Sequence, residues 1–486
     1  MGNVTVGRNR SAYSLKGNIT YLIETGELDQ GLRLIHDFVE CIITEPLCTS
    51  QVFGSKDLDT LCQHIGKANL AAIGRKHADA TISDQGRPVF TYIVTKLQKS
   101  GGHTRIIKDF INAQKGGKHV ILSTELDGKS DADSLNDVIK KQNDIVLEKA
   151  PKGNYRKRLA WLQKRLIELA PKKVYLFNHH QDSVAVAAIQ PEMSLDATFY
   201  HHGDHHLCLG VYLSHLKHID PHPMGYHNCR YNLGIENIYM PLTVEDKEAR
   251  SADWPFMNGH KLTTCTAARS NKIEIPYFVS YLDVVPQILK ATGGAHIHIG
   301  RLSPWALYRI RNGLKRNNIQ PEQFVYIPWV PSVWKSLQEH RVDLYVASFP
   351  YGGGLTLIEA MGAGIPVALH RHIFSSVLSG IDLAYPGVFN WRYPEELLNY
   401  CITVTADDLK EAGNSGRMQF EKFHRNEYLY RYINDYDYEG LTPNKLLGNF
   451  SVEADEWALW MERRLSFSHV ISRFLYRVYK RFRANL

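Results

Sequence analysis

The sequence predicts an α/β protein built from two Rossmann-like halves, and three observations support this fold class. Short runs rich in Val, Ile, Tyr and Phe alternate with helical stretches from residue 90 onward, which is typical of parallel sheets. The alternation restarts after a break near residues 251–261. The length of 486 residues suits two or three domains at roughly 150 residues each. We expect a helical N-terminal extension at 1–88, α/β domains at 89–250 and 258–435, and a basic amphipathic helix at 450–486.

Composition and charge exclude several classes of protein. The chain has 57 Lys and Arg against 50 Asp and Glu, a net charge of +7, and five of these cations lie in its last 16 residues. The rest is nearly balanced, so we expect no nucleic-acid partner. Seven cysteines without a CxxC pattern favour a reducing compartment. With no apolar run of the roughly 20 residues that span a bilayer, we expect a cytoplasmic protein.

The N-terminal extension has helical periodicity without a catalytic pattern. Leu32, Ile35, Phe38 and Val39 fall on one face of a predicted helix, and a second helical stretch covers residues 58–72. Packing against the rest of the chain, or contact with a second copy in a homo-oligomer, accounts for such a face.

The first half carries polar side chains where its predicted strands end. Strands are predicted near residues 91–97, 119–124, 144–148, 173–178 and 196–202, with helices near 105–114 and 158–170. After the first strand, the turn Gly101–Gly102 leads to His103. An imidazole with an ordinary pKa near ~6.5 is suited to general-base catalysis. A histidine that caps the helix or makes a structural contact is the alternative.

A histidine-rich stretch follows the strand at 196–202. Eight of the 23 histidines lie between residues 201 and 227, and Asp204 is flanked by two pairs of them, His201, His202, His205 and His206. A second polar group, His179, His180 and Asp182, follows the strand at 173–178. Open α/β sheets bind ligands at the carboxyl ends of their strands, so we expect a base or acceptor-binding role here.

Two other interpretations of these histidines remain open. His202, Asp204 and His206, with Cys208 or Cys229, offer metal-ligand chemistry, but their spacing follows no established zinc pattern. A buried, hydrogen-bonded histidine network is the second. We expect no metal.

The second half contains the most informative segment. Strands are predicted near 262–268, 295–300, 323–328, 343–348 and 366–370, with helices near 283–292, 304–315 and 355–364. The strand ending at Ser348 is followed by Gly352, Gly353 and Gly354 and then by a helix that starts near Leu355. Free N–H groups and the helix dipole make such a helix start an anion site.

The segment FPYGGGLTLIEAMGAGIPVA, at residues 349–368, resembles the nucleotide-sugar signature of GT-B glycosyltransferases. Its PYGGG part is most similar to the family that contains bacterial relatives of O-GlcNAc transferase. Its IEAMGAGIPV part is most similar to retaining enzymes with a Glu-x7-Glu motif. The similarity covers roughly residues 260–372. The first Glu of that motif would fall at Tyr351, so the resemblance does not imply a retaining mechanism.

The resemblance implies a donor site within the second half. The donor diphosphate would be held by the helix start, the ribose by an acidic side chain one turn later, the base by the segment Ile327–Val330, and the leaving phosphates by two cations after the first strand. The implied donor-binding residues are Arg269, Lys272, Trp329, Val330, Tyr351, Gly353, Gly354, Leu355, Thr356 and Glu359. The expected catalytic residues of the first half are His103, His202, Asp204 and His205.

The resemblance also implies the fold and the reaction. Two Rossmann-like domains would face a cleft, and a sugar would pass from a nucleotide-diphosphate sugar, with UDP expected, to a hydroxyl of a glycan, a lipid-linked saccharide or a protein. Cations and the helix dipole would replace a metal, so no cofactor is implied. The alternative is a non-catalytic sugar-nucleotide-binding or scaffold protein of the same fold. A dinucleotide-dependent oxidoreductase is disfavoured because no GxGxxG follows a strand.

The C-terminal helix has two interpretations. Ile471, Phe474, Leu475, Val478 and Phe482 recur at helical spacing with Arg and Lys opposite them. Such a helix docks on the N-terminal half with its charges in solvent, or it lies on an anionic membrane surface. The second interpretation would place the protein at the inner face of a membrane.

Overall fold

A computed structural model describes most of the chain, and two compact units emerge from it. The described residues are 14–44, 53–74, 86–98, 102–139, 144–203, 205–251, 253–257, 261–373, 380–435, 438–446 and 454–484. Unit 1 contains Met1–Glu45, Ser50–Pro241 and Glu427–Pro443, and unit 2 contains Pro46–Thr49, Leu242–Asn426 and Asn444–Leu486.

Unit 1 is organised around a parallel sheet of seven strands. In chain order these are β1 (Val89–Val94), β2 (Lys118–Ser123), β3 (Ile145–Lys149), β4 (Lys173–Phe177), β5 (Ala197–Tyr200), β6 (Lys217–Asp220) and β7 (Ile238–Tyr239). Their order across the sheet is β3-β2-β1-β4-β5-β6-β7. Strand order therefore reverses between β1 and β4, and this switch point is where open α/β sheets bind ligands.

Several helices of unit 1 share one apolar core with its sheet. The helices of this unit span Leu15–Glu24, Leu28–Ile43, Lys56–Gly74, Gly102–Ala113, Asn136–Ile139, Tyr155–Leu169, Ser183–Ala188, Pro223–His227 and Asn426–Asn434, the last of which starts one residue inside unit 2. Leu32 and Ile35 from the N-terminal helices lie in the same buried cluster as Ile93 and Leu176 from the sheet. The described helices before residue 88 thus pack as part of the unit 1 core.

Unit 2 has a second parallel sheet with the same strand order. Its strands are β8 (Thr263–Ala267), β9 (Ala295–Ile299), β10 (Phe324–Ile327), β11 (Leu344–Val346), β12 (Val367–His370) and β13 (Phe389–Trp391), ordered β10-β9-β8-β11-β12-β13. Its helices span Ser270–Ile273, Tyr281–Thr292, Pro304–Arg316, Val333–Glu339, Gly354–Gly362, Pro394–Thr403, Ala406–Phe423, Ala454–Leu465 and Phe467–Ala484. Here the switch point lies between β8 and β11.

The prediction of a two-sheet α/β protein is confirmed, with three additional strands. β6, β7 and β13 were not expected from the sequence, because β6 (KHID) and β13 (FNW) include polar residues and β7 has two residues. No described helix combines the length and the apolar character that crossing a membrane requires.

Candidate functional site

The glycine-rich segment of unit 2 lies at the switch point of its sheet. β8 pairs with β9 on one side and with β11 on the other, and both pairs are parallel. The segments that follow β8 and β11 therefore leave the sheet at the same end. Arg269 and Lys272 follow β8, with Lys272 in the short helix Ser270–Ile273, and Gly352 and Gly353 follow β11.

The helix Gly354–Gly362 begins without a side-chain cap. Its N-cap residue is Gly353, which has no side chain to accept the first-turn N–H groups. Leu357, Ile358, Ala360 and Met361 are buried and hold the helix against unit 2, whereas Leu355, Thr356 and Glu359 are only partly buried. Residues three and four apart share a helix face, so these three side chains flank the uncapped end on one side. The arrangement is suited to an anion with a hydroxylated group beside it.

Lys272 supplies positive charge at this helix start. Its Nζ donates to the carbonyl oxygen of Gly352 at 2.6 Å, and the carbonyl oxygen of Lys272 accepts from the N–H of Tyr351 at 3.4 Å. Burial and the nearby charge of Arg269 lower the pKa of the Lys272 ammonium from 10.5 to about 8. A bound anion would offset the effect of the Arg269 charge and raise the pKa of Lys272 again, since an anion stabilises the charged form of the lysine.

The remaining predicted donor-binding residues have distinct positions. Trp329 is exposed and Val330 is partly buried, and both follow β10, two strands from β8 and so roughly 10 Å away along the same edge. The Thr356 hydroxyl was expected to face the anion, but it donates to the carbonyl oxygen of Gly353 at 3.0 Å. The helix also begins slightly earlier than expected, at Gly354.

In unit 1, three histidines that follow different strands form an imidazole cluster. The ring of His103 lies 4.6 Å from that of His202 and 5.2 Å from that of His179, measured between centroids. His103 donates from Nε2 to the carbonyl oxygen of Phe177 at 3.1 Å, so its neutral ring keeps a lone pair on Nδ1. The sequence predicted His103 and His202 as site residues, and the fold brings them together beside β4.

The pKa of His103 differs from the sequence-based expectation. Burial, together with the neighbouring imidazoles of His202 and His179, lowers it well below its usual value. A histidine with so low a pKa is neutral at pH 7 but accepts a proton only weakly. The expectation of an ordinary pKa was therefore wrong, because it took no account of the two other rings.

A His–Asp pair beside this cluster was missed at the sequence level. His179 donates from Nδ1 to Asp127 Oδ2 at 2.9 Å, and Lys96 Nζ lies 3.6 Å from the same oxygen. Burial alone would raise the pKa of the Asp127 carboxyl, but His179 and Lys96 lower it well below its usual range. A carboxylate that fixes Nδ1–H leaves the Nε2 lone pair of His179 oriented for proton acceptance. The only sequence signal was that Asp127 closely follows β2.

Other polar residues at this edge have structural partners. Asp182 accepts from the hydroxyls of Thr95 and Thr124 at 2.7 and 2.6 Å and from the N–H of Ala185 at 2.9 Å, so it ties three segments together. His205 contacts the rings of His180 and His206 rather than the imidazole cluster. Asp204, the fourth predicted catalytic residue, lies outside the described residues.

Comparisons with solved structures establish the fold. A glycosyltransferase from Rickettsia africae aligns with a TM-score of 0.54 at 11% identity, covering 73% of this chain and 100% of that one. HepE from Anabaena, in complex with UDP, aligns with a TM-score of 0.52 at 10% identity, covering 71% and 98%. Sucrose-phosphate synthase from Thermosynechococcus elongatus gives 0.50 at 12% identity, covering 71% and 97%.

The chain has a GT-B glycosyltransferase-like fold. The fold expected from the sequence resemblance is thereby confirmed. No protein-family model and no curated protein sequence matches the chain. At 10 to 12% identity, the similarity to these structures supports the fold alone.

Proposed function

We propose that this protein is a glycosyltransferase that uses a nucleotide-diphosphate sugar, with UDP as the nucleotide. The observation that carries the proposal is the uncapped helix start at Gly353 beside the Lys272 ammonium, at the switch point between β8 and β11. A diphosphate suits both groups because it is anionic and carries several acceptor oxygens. The structural neighbour HepE, which was solved with UDP, supports this choice of nucleotide.

Different donor-site residues bind the diphosphate, the ribose and the base of the substrate. The N–H groups of Gly354, Leu355 and Thr356 and the ammonium of Lys272 bind the diphosphate, and Arg269 adds a second cation. Glu359, on the same helix face, accepts hydrogen bonds from the ribose hydroxyls, while Trp329 and Val330 bind the base. When the bond from the anomeric carbon to the diphosphate breaks, the negative charge that develops on the leaving oxygen is stabilised by the cations and the helix dipole.

Proton transfer is assigned to unit 1. A base takes the proton of the acceptor hydroxyl while its oxygen attacks the anomeric carbon. His179 is our first choice, since Asp127 orients its ring and leaves Nε2 free to accept the proton. His103 and His202 belong to the same cluster and are proposed to position the acceptor hydroxyl. The acceptor class, whether a glycan, a lipid-linked saccharide or a protein, follows from none of these groups.

Two measurements test the proposal. A panel of nucleotide sugars and nucleoside diphosphates is screened by thermal shift, since a ligand that binds the native state raises the melting temperature. Release of nucleoside diphosphate is then followed with the sugar nucleotide that binds. Glu359→Ala and Lys272→Met are expected to lose binding, whereas the control Lys290→Met, an exposed lysine of the same unit, retains it.

The base assignment is tested separately. His179→Ala, His103→Ala and His202→Ala are expected to retain nucleotide-sugar binding and to lose turnover. Full activity in all three variants would show that the cluster has no catalytic role. Failure of every nucleotide sugar to stabilise the wild-type protein would refute the donor site itself.

A second candidate is a non-catalytic sugar-nucleotide-binding protein of the same fold. Two observations favour it: Tyr351 occupies the position of the first motif glutamate, and burial weakens His103 as a base. This candidate predicts tight binding of a nucleotide sugar that Glu359→Ala abolishes, with no release of nucleoside diphosphate under any condition.

We also propose that the C-terminal helix contacts an anionic membrane surface. In the helix Phe467–Ala484, the apolar side chains of Phe467, Phe474 and Leu475 are exposed, and the sequence adds five cations to the last 16 residues. Apolar anchors with basic residues are suited to anionic lipid headgroups. Phe474→Glu is expected to reduce sedimentation with anionic vesicles, and equal binding to neutral vesicles would contradict the proposal.

A further inference from the structure

Four metal-ligand side chains that do not belong to the imidazole cluster converge in unit 1. His201 directly follows β5, His218 and Asp220 belong to β6, and Cys229 lies in the single helical turn Asn228–Asn232. Each offers one ligand atom, and these atoms all lie within 4.8 Å of one another. Their exposed fractions are 0%, 5%, 0% and 0%, so water does not solvate the group. We call His201, His218, Asp220 and Cys229 the buried cluster.

The register of the sheet creates the convergence. β5 pairs with β6 in parallel, with Phe199 beside His218 and Tyr200 beside Ile219. Thr198 lies beside Lys217, so His201, one residue beyond β5, continues the register next to Asp220 at the end of β6. The chain then turns through Pro223–His227 and returns Cys229 to the same point.

The distances within the buried cluster fit a tetrahedral metal ion. Zinc bonds of about 2.0 to 2.3 Å place neighbouring ligand atoms roughly 3.3 to 3.8 Å apart. Cys229 Sγ lies 3.5 Å from His201 Nδ1 and 3.7 Å from Asp220 Oδ1. His218 Nε2 lies 3.3 Å from the other oxygen of the same carboxylate, Oδ2, and within 4.8 Å of the other ligand atoms. His201 Nδ1 and Asp220 Oδ1, at 2.8 Å, would move apart by about half an ångström.

Charge and hydrogen bonding point to the same ligand. A thiolate, a carboxylate and two neutral imidazoles carry a charge of −2, which a divalent cation neutralises, as a fully buried site requires. His218 Nε2 is buried, and its 3.3 Å contact with Asp220 Oδ2 does not have the geometry of a hydrogen bond. Outside the cluster, Asn237 Nδ2 donates to Asp220 Oδ2 at 2.6 Å, the kind of outer contact that orients a metal-bound carboxylate.

We propose that His201, His218, Asp220 and Cys229 bind one zinc ion as a structural site in unit 1. Sulfur and nitrogen donors in a set of four favour Zn²⁺ over Mg²⁺ or Ca²⁺, which prefer oxygen. Because the protein supplies all four ligands and no position opens to solvent, the ion joins β5, β6 and the Asn228–Asn232 turn and performs no catalysis. Cys229 also belongs to the set around Asp204 that the sequence suggested, whereas His201, His218 and Asp220 do not. The inference is independent of the proposed function.

The test is the metal content of the full-length protein, purified without a polyhistidine tag and without chelator. We expect about one zinc ion per chain by elemental analysis, as for a four-ligand structural site. Cys229→Ser and His218→Gln are expected to lose it. Cys265→Ser is the matched control, because it removes an equally buried thiol from unit 2 and should leave the zinc content unchanged.

Cobalt substitution keeps the test decisive if a variant fails to fold. Wild-type protein reconstituted with Co²⁺ should show tetrahedral absorption bands and a thiolate-to-cobalt charge-transfer band, and chelation should lower its melting temperature. A protein that is free of zinc, takes up no cobalt and melts at the same temperature with and without chelator would overturn the proposal. So would stoichiometric zinc that both cluster variants retain.

Discussion

The Lys272 ammonium should make nucleotide binding depend on pH in a narrow range. Its pKa is lowered to about 8 by burial and by Arg269. Below pH 8 the lysine is charged, as its proposed contact with the diphosphate of UDP requires. Above pH 8 the free protein must take up a proton before the same contact forms, so affinity falls as pH rises through the lowered pKa. The phosphates of UDP are fully ionised throughout this range, since their second pKa is near ~6.

The expected size of the effect follows from the titration of one group. With a pKa of about 8, roughly nine-tenths of the Lys272 side chains are charged at pH 7 and roughly one-tenth at pH 9. If the bound diphosphate returns the pKa toward its ordinary value of ~10.4, the Kd for UDP should rise about tenfold between pH 7 and pH 9.

Isothermal titration calorimetry with UDP at pH 7, 8 and 9 measures this dependence. Lys272→Arg provides the matched control, because a guanidinium stays charged over the whole range and its affinity should not change with pH. Lys272→Met should bind weakly and without a pH dependence. A wild-type Kd that is constant from pH 7 to pH 9 would refute the reasoning, and so would an unchanged slope in Lys272→Met, since another group would then be responsible.

Three further predictions follow from the geometry. Gly353→Ala places a methyl group 2.5 Å from the Thr356 hydroxyl and displaces the helix start. Calorimetry should show the affinity for UDP lowered roughly 10- to 100-fold, which corresponds to the loss of one charge-assisted hydrogen bond. The melting temperature should change little. Gly66→Ala drives a methyl group to 1.9 Å from a backbone carbonyl of the facing helix; denaturant titration should show a loss of about 1–3 kcal/mol, and an unchanged midpoint would contradict the packing. Asp127→Asn removes the charge that orients His179, so turnover should fall about 100-fold while UDP binding is retained; equal losses of both would indicate misfolding instead.

The local features of this protein were determined by its sequence. Runs such as KVYLF at 173–177 and the glycines before Leu355 specify a strand and a strand-to-helix turn through the preferences of neighbouring residues alone. Those preferences predicted two α/β halves and a helix that starts directly after the glycines, and the structure contains both. β13, by contrast, was not expected, because its three residues (FNW) include a polar asparagine, whereas the equally short β11 (LYV) is apolar.

Only the tertiary structure decided which distant side chains meet. Lys272 and Gly352 are 80 residues apart in the chain and form a hydrogen bond because β8 and β11 are neighbours. His179 and Asp127, which are 52 residues apart, form another. Single-chain periodicity does not encode strand order or register, which depend on how all the strands share one core. The sequence therefore predicted candidate residues of the donor site and of the imidazole cluster, such as Lys272 and His103. The order of the strands determined which groups contact these residues and thereby shifted the pKa values of Lys272 and His103.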